Sequence, residues 1–336
     1  MDERKKYLTA ASGWLPAVLG LAFALALAAP VDAQVKWKEG VLLAKGDAGF
    51  TWMAQEKGYF KKRGLDVEFV QFRGDKDVMR ALLAGDLDCA EMNPAPTLSA
   101  IDRGATDLRF IGSPMPGLPY ALYARKDITS WAQLKGKTFG VSAPGSQPDI
   151  IAREMLRRKG VDPDSIKIVD AGGSGSRIKA LVAGKIDAAA SSSEYSPDAA
   201  KLGIRVMALA ADLLPEYPHH VFVVREETLK AKREATISFL AAYMEGLNYA
   251  VKHRDETLKL AGRINHKPAN DPQLVYIYDE MLAKKYISVR LKIPRAKIEW
   301  LQGQLLKVGT IRKKIDLDKF IDDSYREAAL KRVNLR

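Results

Sequence analysis

The chain has a single cysteine, Cys89, so no disulfide can form within it, and stability must come from a packed core. Cys89 stands in Leu87-Asp88-Cys89-Ala90, the start of a buried strand, where a free thiol behaves as a small hydrophobe. Histidines are few: His219 and His220 follow Pro218, while His253 and His266 stand alone. None has metal-ligand spacing, so no metal site is expected. There is no G-x-S-x-G element and no Ser/His/Asp set, so no catalytic residues are assigned. Gly172-Gly173-Ser174-Gly175-Ser176 lacks phosphate-loop spacing, and Arg177 rather than lysine follows it. No cofactor is implied. The longest apolar run, Leu15 to Ala29, falls short of the roughly 18 to 20 residues that a spanning helix needs.

That run instead follows Arg4, Lys5 and Lys6 and precedes Val31-Asp32-Ala33. This is the layout of a secretory signal peptide over residues 1–33, with cleavage expected after Ala33 and a periplasmic destination. The full sequence is 47% hydrophobic and 28% charged, a balance that fits a globular protein. The net charge of +12 gathers late, with 15 Lys/Arg against 6 Asp/Glu in residues 284–336. These charges are scattered along helical segments and not interleaved with aromatics. They read as a solvated basic face, and no nucleic-acid partner is expected.

What the chain does have is an internal repeat. Lys62-Arg63-Gly64-Leu65-Asp66 returns as Arg158-Lys159-Gly160-Val161-Asp162, and Ala81-Leu82-Leu83-Ala84-Gly85-Asp86-Leu87-Asp88 as Ala180-Leu181-Val182-Ala183-Gly184-Lys185-Ile186-Asp187. Each copy reads strand–helix–strand–helix–strand. In the first, a strand ends at Ala44, a helix carries Trp52, Met53, Tyr59 and Phe60, and Leu65 to Phe72 alternates as a strand. Asp75 to Ala84 is a helix stopped by Gly85, and Leu87 to Met92 a strand. In the second, Thr138–Val141, Ile150–Lys159, Ile166–Val169, Ile178–Ala183 and Ile186–Ala190 follow the same order. Parallel strands joined by helices need covering on both faces. The expected fold class is therefore α/β, two doubly wound lobes joined by a two-crossing hinge, with C-terminal helices. Tyr120–Ala124 and His220–Val224 read as the crossing strands. The expected division is residues 34–122 plus 222–336 for the first lobe and 123–221 for the second.

Gly58-Tyr59-Phe60-Lys61, Gly64-Leu65-Asp66-Val67-Glu68, Ala84-Gly85-Asp86-Leu87-Asp88, Leu134-Lys135-Gly136-Lys137 and Ala183-Gly184-Lys185-Ile186-Asp187-Ala188 together resemble the solute-binding proteins of ABC importers. The resemblance is to the sulfonate/nitrate/taurine-type group, which shares a fold with the thiamin-precursor (Thi5-like) proteins, and it covers about residues 35 to 270. It implies the hinged two-lobe fold of periplasmic binding proteins. It also implies a small organic, anionic ligand, delivery to ABC permease subunits in the inner membrane, a monomer, and no enzyme activity. A pyrimidine-related enzyme or precursor-binding protein on the same fold, and a ligand sensor for a membrane receptor, are the alternatives. The fungal pyrimidine synthases of this fold use a cysteine-rich segment that this chain lacks.

In open α/β sheets ligands bind beyond the carboxyl ends of the strands. In the first lobe that places Gly49, Phe50, Thr51 and Asn93 at the cleft, and Tyr120 beside the crossing. In the second it places Ser142, Gly145, Ser146, Gln147, Gly173, Ser174, Ser192 and Glu194 there. Ser146 and Asp149 resemble a capping box, with Pro148 in the first turn; such a helix end offers N–H donors to an anion. Trp52, Tyr120 and Tyr195 are either aromatic walls or core packing. If Glu194 faces the pocket it calls for a ligand with an amine or ring N–H; otherwise it is a helix N-terminal acid. Arg73 and Arg177 either pair with a carboxylate or sulfonate or are solvated.

Overall fold

The structure is a computed structural model and describes residues 34–335. The signal peptide expected over residues 1–33 lies outside the described residues. No helix among the described residues is long and apolar enough to cross a membrane.

Ten strands form two five-stranded sheets. They are β1 (Val35–Leu42), β2 (Leu65–Phe72), β3 (Cys89–Met92), β4 (Leu108–Met115), β5 (Tyr120–Arg125), β6 (Thr138–Val141), β7 (Lys167–Asp170), β8 (Ala188–Ser192), β9 (Ile204–Leu209) and β10 (His220–Arg225). The first sheet runs β2-β1-β3-β10-β4 and the second β7-β6-β8-β5-β9. Within each, three strands are parallel, and the crossing strand lies antiparallel beside them. The second sheet is continuous in the chain, β5 to β9, whereas the first is completed only by β10, which returns after it. β5 lies whole in the second sheet and β10 whole in the first. The boundaries expected at 122/123 and 221/222 each fall within a strand, β5 and β10.

The repeat does the same work twice. Gly64, Gly85, Gly160 and Gly184 all adopt positive φ at the ends of their helices, where a side chain would be strained. Asp88 Oδ2 accepts the Lys38 N–H at 2.9 Å, and Asp187 Oδ2 accepts the Thr138 N–H at 2.9 Å. Each aspartate so pins the middle strand of its lobe's parallel trio, β1 at its fourth residue and β6 at its first. On β1, a Cβ at Gly40 would lie 2.5 Å from Leu87 Cδ1; on β6, one at Gly140 would lie 2.5 Å from Ile186 Cδ1. The equivalence thus extends past the repeat into the strands it packs on. Asp187→Ala leaves a strand N–H without its acceptor and is expected to cost about 1–3 kcal/mol in urea unfolding. An unchanged midpoint would remove the aspartate from the scaffold.

Three elements differ from the sequence reading. The helix expected across Trp52 to Phe60 is three short turns, Ala48–Thr51, Met53–Glu56 and Tyr59–Lys62, broken where Gly58 turns left-handed at φ 68°. β4 and β9 were not expected; Gly112, Ser113 and Pro114 disguise β4 as a turn. The Pro272–Ala283 helix covers more than the first lobe. It packs on the second lobe's Ser193–Asp198 turn, where Gln273 Nε2 donates to Asp198 Oδ2 at 2.7 Å and Ser193 Oγ to Glu280 Oε2 at 2.5 Å. Cys89 is fully buried, as expected of a small hydrophobe.

Candidate functional site

The carboxyl ends of β1, β3, β6 and β8 face one another across a seam between the lobes. β1 leads on into the loop Lys45-Gly46-Asp47. The Gly46 N–H donates to Glu194 Oε2 at 2.7 Å, a buried bond between the two lobes. There is no room for a side chain at Gly46: a Cβ would meet Glu194 Oε2 and Ile277 Cγ2, each at 2.7 Å. Glu194 therefore faces the seam. Burial first, then the charge of Asp47, raises its carboxyl above the ordinary range, against the pull of Lys45 and the Gly46 N–H.

Lys45 lies 3.7 Å from Asp47. Burial pulls its ammonium down, but Asp47, Tyr120, Glu194 and Asp75 reverse this and leave its pKa raised. Its ammonium makes no hydrogen bond among the described residues, so its donors remain available to a ligand. Asp75 is held by the Asn93 N–H at 3.0 Å, and burial raises its carboxyl as well. Three carboxylates, Asp47, Asp75 and Glu194, thus share the seam with one lysine.

The crossing segment supplies the seam's rings. His219 and His220 stack at 3.8 Å, and Tyr120 meets His219 edge-on at 5.9 Å. Gln147 Nε2 lies 3.0 Å from His219 Nδ1. Burial, then His220 and Lys45, holds the His219 imidazole well below its ordinary pKa, so it is neutral and its Nδ1 accepts from Gln147. Sequence spacing had set these histidines aside because it tests only for metal ligation.

The expected residues divide. Thr51, Tyr120, Gln147 and Glu194 meet at the seam with Lys45, Gly46, Asp47, Asp75, His219 and His220. Gly49 instead packs on a neighbouring helix, where a Cβ would meet Thr257 O at 2.4 Å, and Phe50 stacks on Tyr278 at 5.2 Å. Asn93 is fully committed: Oδ1 caps the Pro94–Asp102 helix through Ala95 N, and Nδ2 donates to Pro218 O and His219 O. It clamps the hinge and has no donor left. Ser142 and Ser146 are partly exposed and Gly145 exposed. The expected capping box is rearranged, because Asp149 reaches back to Gly145 N and Ser146 Oγ accepts from Ala143 N. Gly173 and Ser174 open the Ser174–Val182 helix. Ser174 Oγ accepts from Arg177, and Ser191 Oγ donates to Ser174 O, so these groups are engaged within the lobe. The Ser192 carbonyl takes the Tyr123 hydroxyl.

Arg177 is neither solvated nor free. It is buried and spends its guanidinium on Ala190 O, Gly172 O and Ser174 Oγ. Arg73 is exposed. Trp52 leans on Phe69 at the seam's outer edge, and the Tyr195 hydroxyl lies over Gly175, 3.2 Å from where a Cβ would stand.

A family model described as NMT1/THI5 like matches residues 47–257, from the Asp47 end of the seam past the return crossing. The chain belongs to the NMT1/THI5-like family. Among relatives of this NMT1/THI5-like chain, the putative binding protein YtlA of Bacillus subtilis is 24% identical over 297 residues, which are 82% of this chain and 84% of that one. The formylaminopyrimidine-binding protein of Halalkalibacterium halodurans is 25% identical over 241 residues, 70% of this chain and 71% of that one. The solved structure of the periplasmic nitrate-binding protein NrtA from Synechocystis superposes with a TM-score of 0.75 at 15% identity, covering 90% of each chain. At that identity the likeness is one of fold: two α/β lobes of the periplasmic-binding-protein type.

Proposed function

We propose that the chain is the extracytoplasmic solute-binding component of an ABC importer, exported through residues 1–33. It would close its lobes on one small organic solute and hand it to permease subunits. The observation that carries this is the Gly46–Glu194 bond, which joins loops beyond the carboxyl ends of strands in both sheets, where such folds take their ligands. Several buried polar groups converge around it. Family membership and relatives named as binding proteins support the same reading.

The seam also bears on the ligand. A simple anion such as nitrate would meet three carboxylates and a single ammonium. A solute with an amine or ring N–H toward Glu194 and an acceptor or anionic edge toward Lys45 fits the charges better. The name of the formylaminopyrimidine-binding relative describes a solute of that kind.

A thermal-shift panel of sulfonates, nitrate, carboxylates, aromatic acids and pyrimidines tests the reading. A ligand at 100 times its Kd adds about 2.7 kcal/mol, so a binder should raise the melting temperature by several degrees. Members with an N–H donor and an acceptor edge should do so. A panel in which no solute stabilises the protein would remove the proposal.

A further inference from the structure

Beneath Lys45 and Asp47 the first lobe contains a cavity of about 20 Å³, whose walls include Thr51, Glu91, Met115 and His220. It has room for about one water-sized group. Glu91 is fixed from behind: Tyr243 OH donates to its Oε2 at 2.6 Å, and His220 Nδ1 lies 3.0 Å from its Oε1. With Nδ1 turned to a carboxylate, that nitrogen carries a proton toward Glu91. His220 is only 5% exposed, and its Nε2 has no hydrogen-bond partner among the described residues.

The scaffold does not need this polarity. The repeat aligns Glu91 with Ala190 of β8. The strand register aligns Glu39, paired with Cys89, with Phe139, paired with Ala188. The second lobe builds the same sheet with alanine and phenylalanine where the first has two glutamates.

We propose that this cavity is an anchoring subsite for a primary amino group of the solute. Glu91, Asp47 and the Thr51 hydroxyl supply acceptors on its walls, with Lys45 the one ammonium beside them. An amino group brings two or three N–H donors on one heavy atom, whereas a methyl group satisfies none of them and an anion is repelled by Glu91 and Asp47. The subsite lies wholly in the first lobe, so the solute docks there before Glu194 arrives from the second. This inference rests on the solute-binding reading.

The test is calorimetry on the purified full chain with matched probes: taurine against ethanesulfonate, β-alanine against propionate, and 4-aminopyrimidine against 4-methylpyrimidine. The amino member of a binding pair should bind about 10-fold tighter or more, since a site built to hydrogen-bond a group rejects the analogue that lacks it. Thr51→Val should shrink that ratio and Thr51→Ser restore it, a pattern that a purely structural role would not give. Glu91→Gln should shrink the ratio further. If the solutes that bind carry no amino group, or lose nothing without it, the subsite is overturned and the solute-binding reading stands. If no probe and no solute of the broader panel binds, both are overturned.

Discussion

Glu194→Ala is expected to weaken binding of whichever panel solute stabilises the protein by about 30-fold or more. Truncating one partner of a buried, hydrogen-bonded charged contact costs about 2–5 kcal/mol, and each 1.4 kcal/mol is tenfold in Kd. The loss has two sources. The Gly46 N–H loses its acceptor across the seam, so closure is less favourable, and the solute loses a carboxylate. Glu194→Gln separates them. It keeps an oxygen for Gly46 but not the charge, so its affinity should fall between wild type and alanine, with the larger loss for cationic solutes. Calorimetry gives the three values directly. Equal affinities in all three proteins would take Glu194 out of the site.

The largest expected gain in stability lies at Glu39. The side chain is fully buried, and neither carboxyl oxygen makes a well-formed hydrogen bond among the described residues, the nearest donor being Trp37 Nε1, which is itself without another partner. Burial, followed by the nearby charge of Glu91, raises its pKa well above the ordinary value near 4.5. A buried polar group without a partner costs about 1–3 kcal/mol in proteins. Glu39→Met should therefore stabilise the protein by about that much, since the matching position of the second lobe is Phe139. The pH dependence has a definite sign. Over the window from about 4.5 up to the raised value, the folded state keeps a proton that the unfolded chain has lost, so this residue makes stability fall as pH rises. Denaturant unfolding at several pH values should show a gain for Glu39→Met that grows with pH across that window. A variant less stable than wild type at every pH would show that Glu39 has a compensating partner.

Much of the fold was legible because its signals are local. Glycine at a helix end requires positive φ, and Ala-Gly-x-Leu/Ile-Asp encodes a helix stop followed by a strand, so the repeated pattern exposed both lobes. β2 and the Asp75–Ala84 helix fall where alternation and Gly85 placed them. The site was legible only in part. Gln147, Tyr120, Thr51 and Glu194 were expected from their places after strands or at the crossing, and they do reach the seam. Lys45 and Asp47 flank a glycine in what reads as an ordinary polar loop, and nothing local shows that Asp75, Tyr120 and Glu194, from three other segments, surround the lysine. Asn93 misled in the opposite direction: its residue type promised donors, but a helix cap and two hinge carbonyls use them all. Glu39 sits in Lys36-Trp37-Lys38-Glu39, where alternating charges suggest a solvated strand. Only the pairing of β1 between β2 and β3 buries it.

The return of β10 to the first sheet sets an order of assembly. β4 has only β10 as a ladder neighbour in its sheet, and β10 is made more than 100 residues later. Until residue 225 is available, β3 and β4 each have an open edge in a half-built sheet, and such edges invite pairing with other chains. The second lobe, by contrast, holds all five of its strands once residue 209 is present. The half of the protein that is synthesised first is therefore completed last. A chain truncated before β10 would be left with a finished second sheet and an aggregation-prone first one.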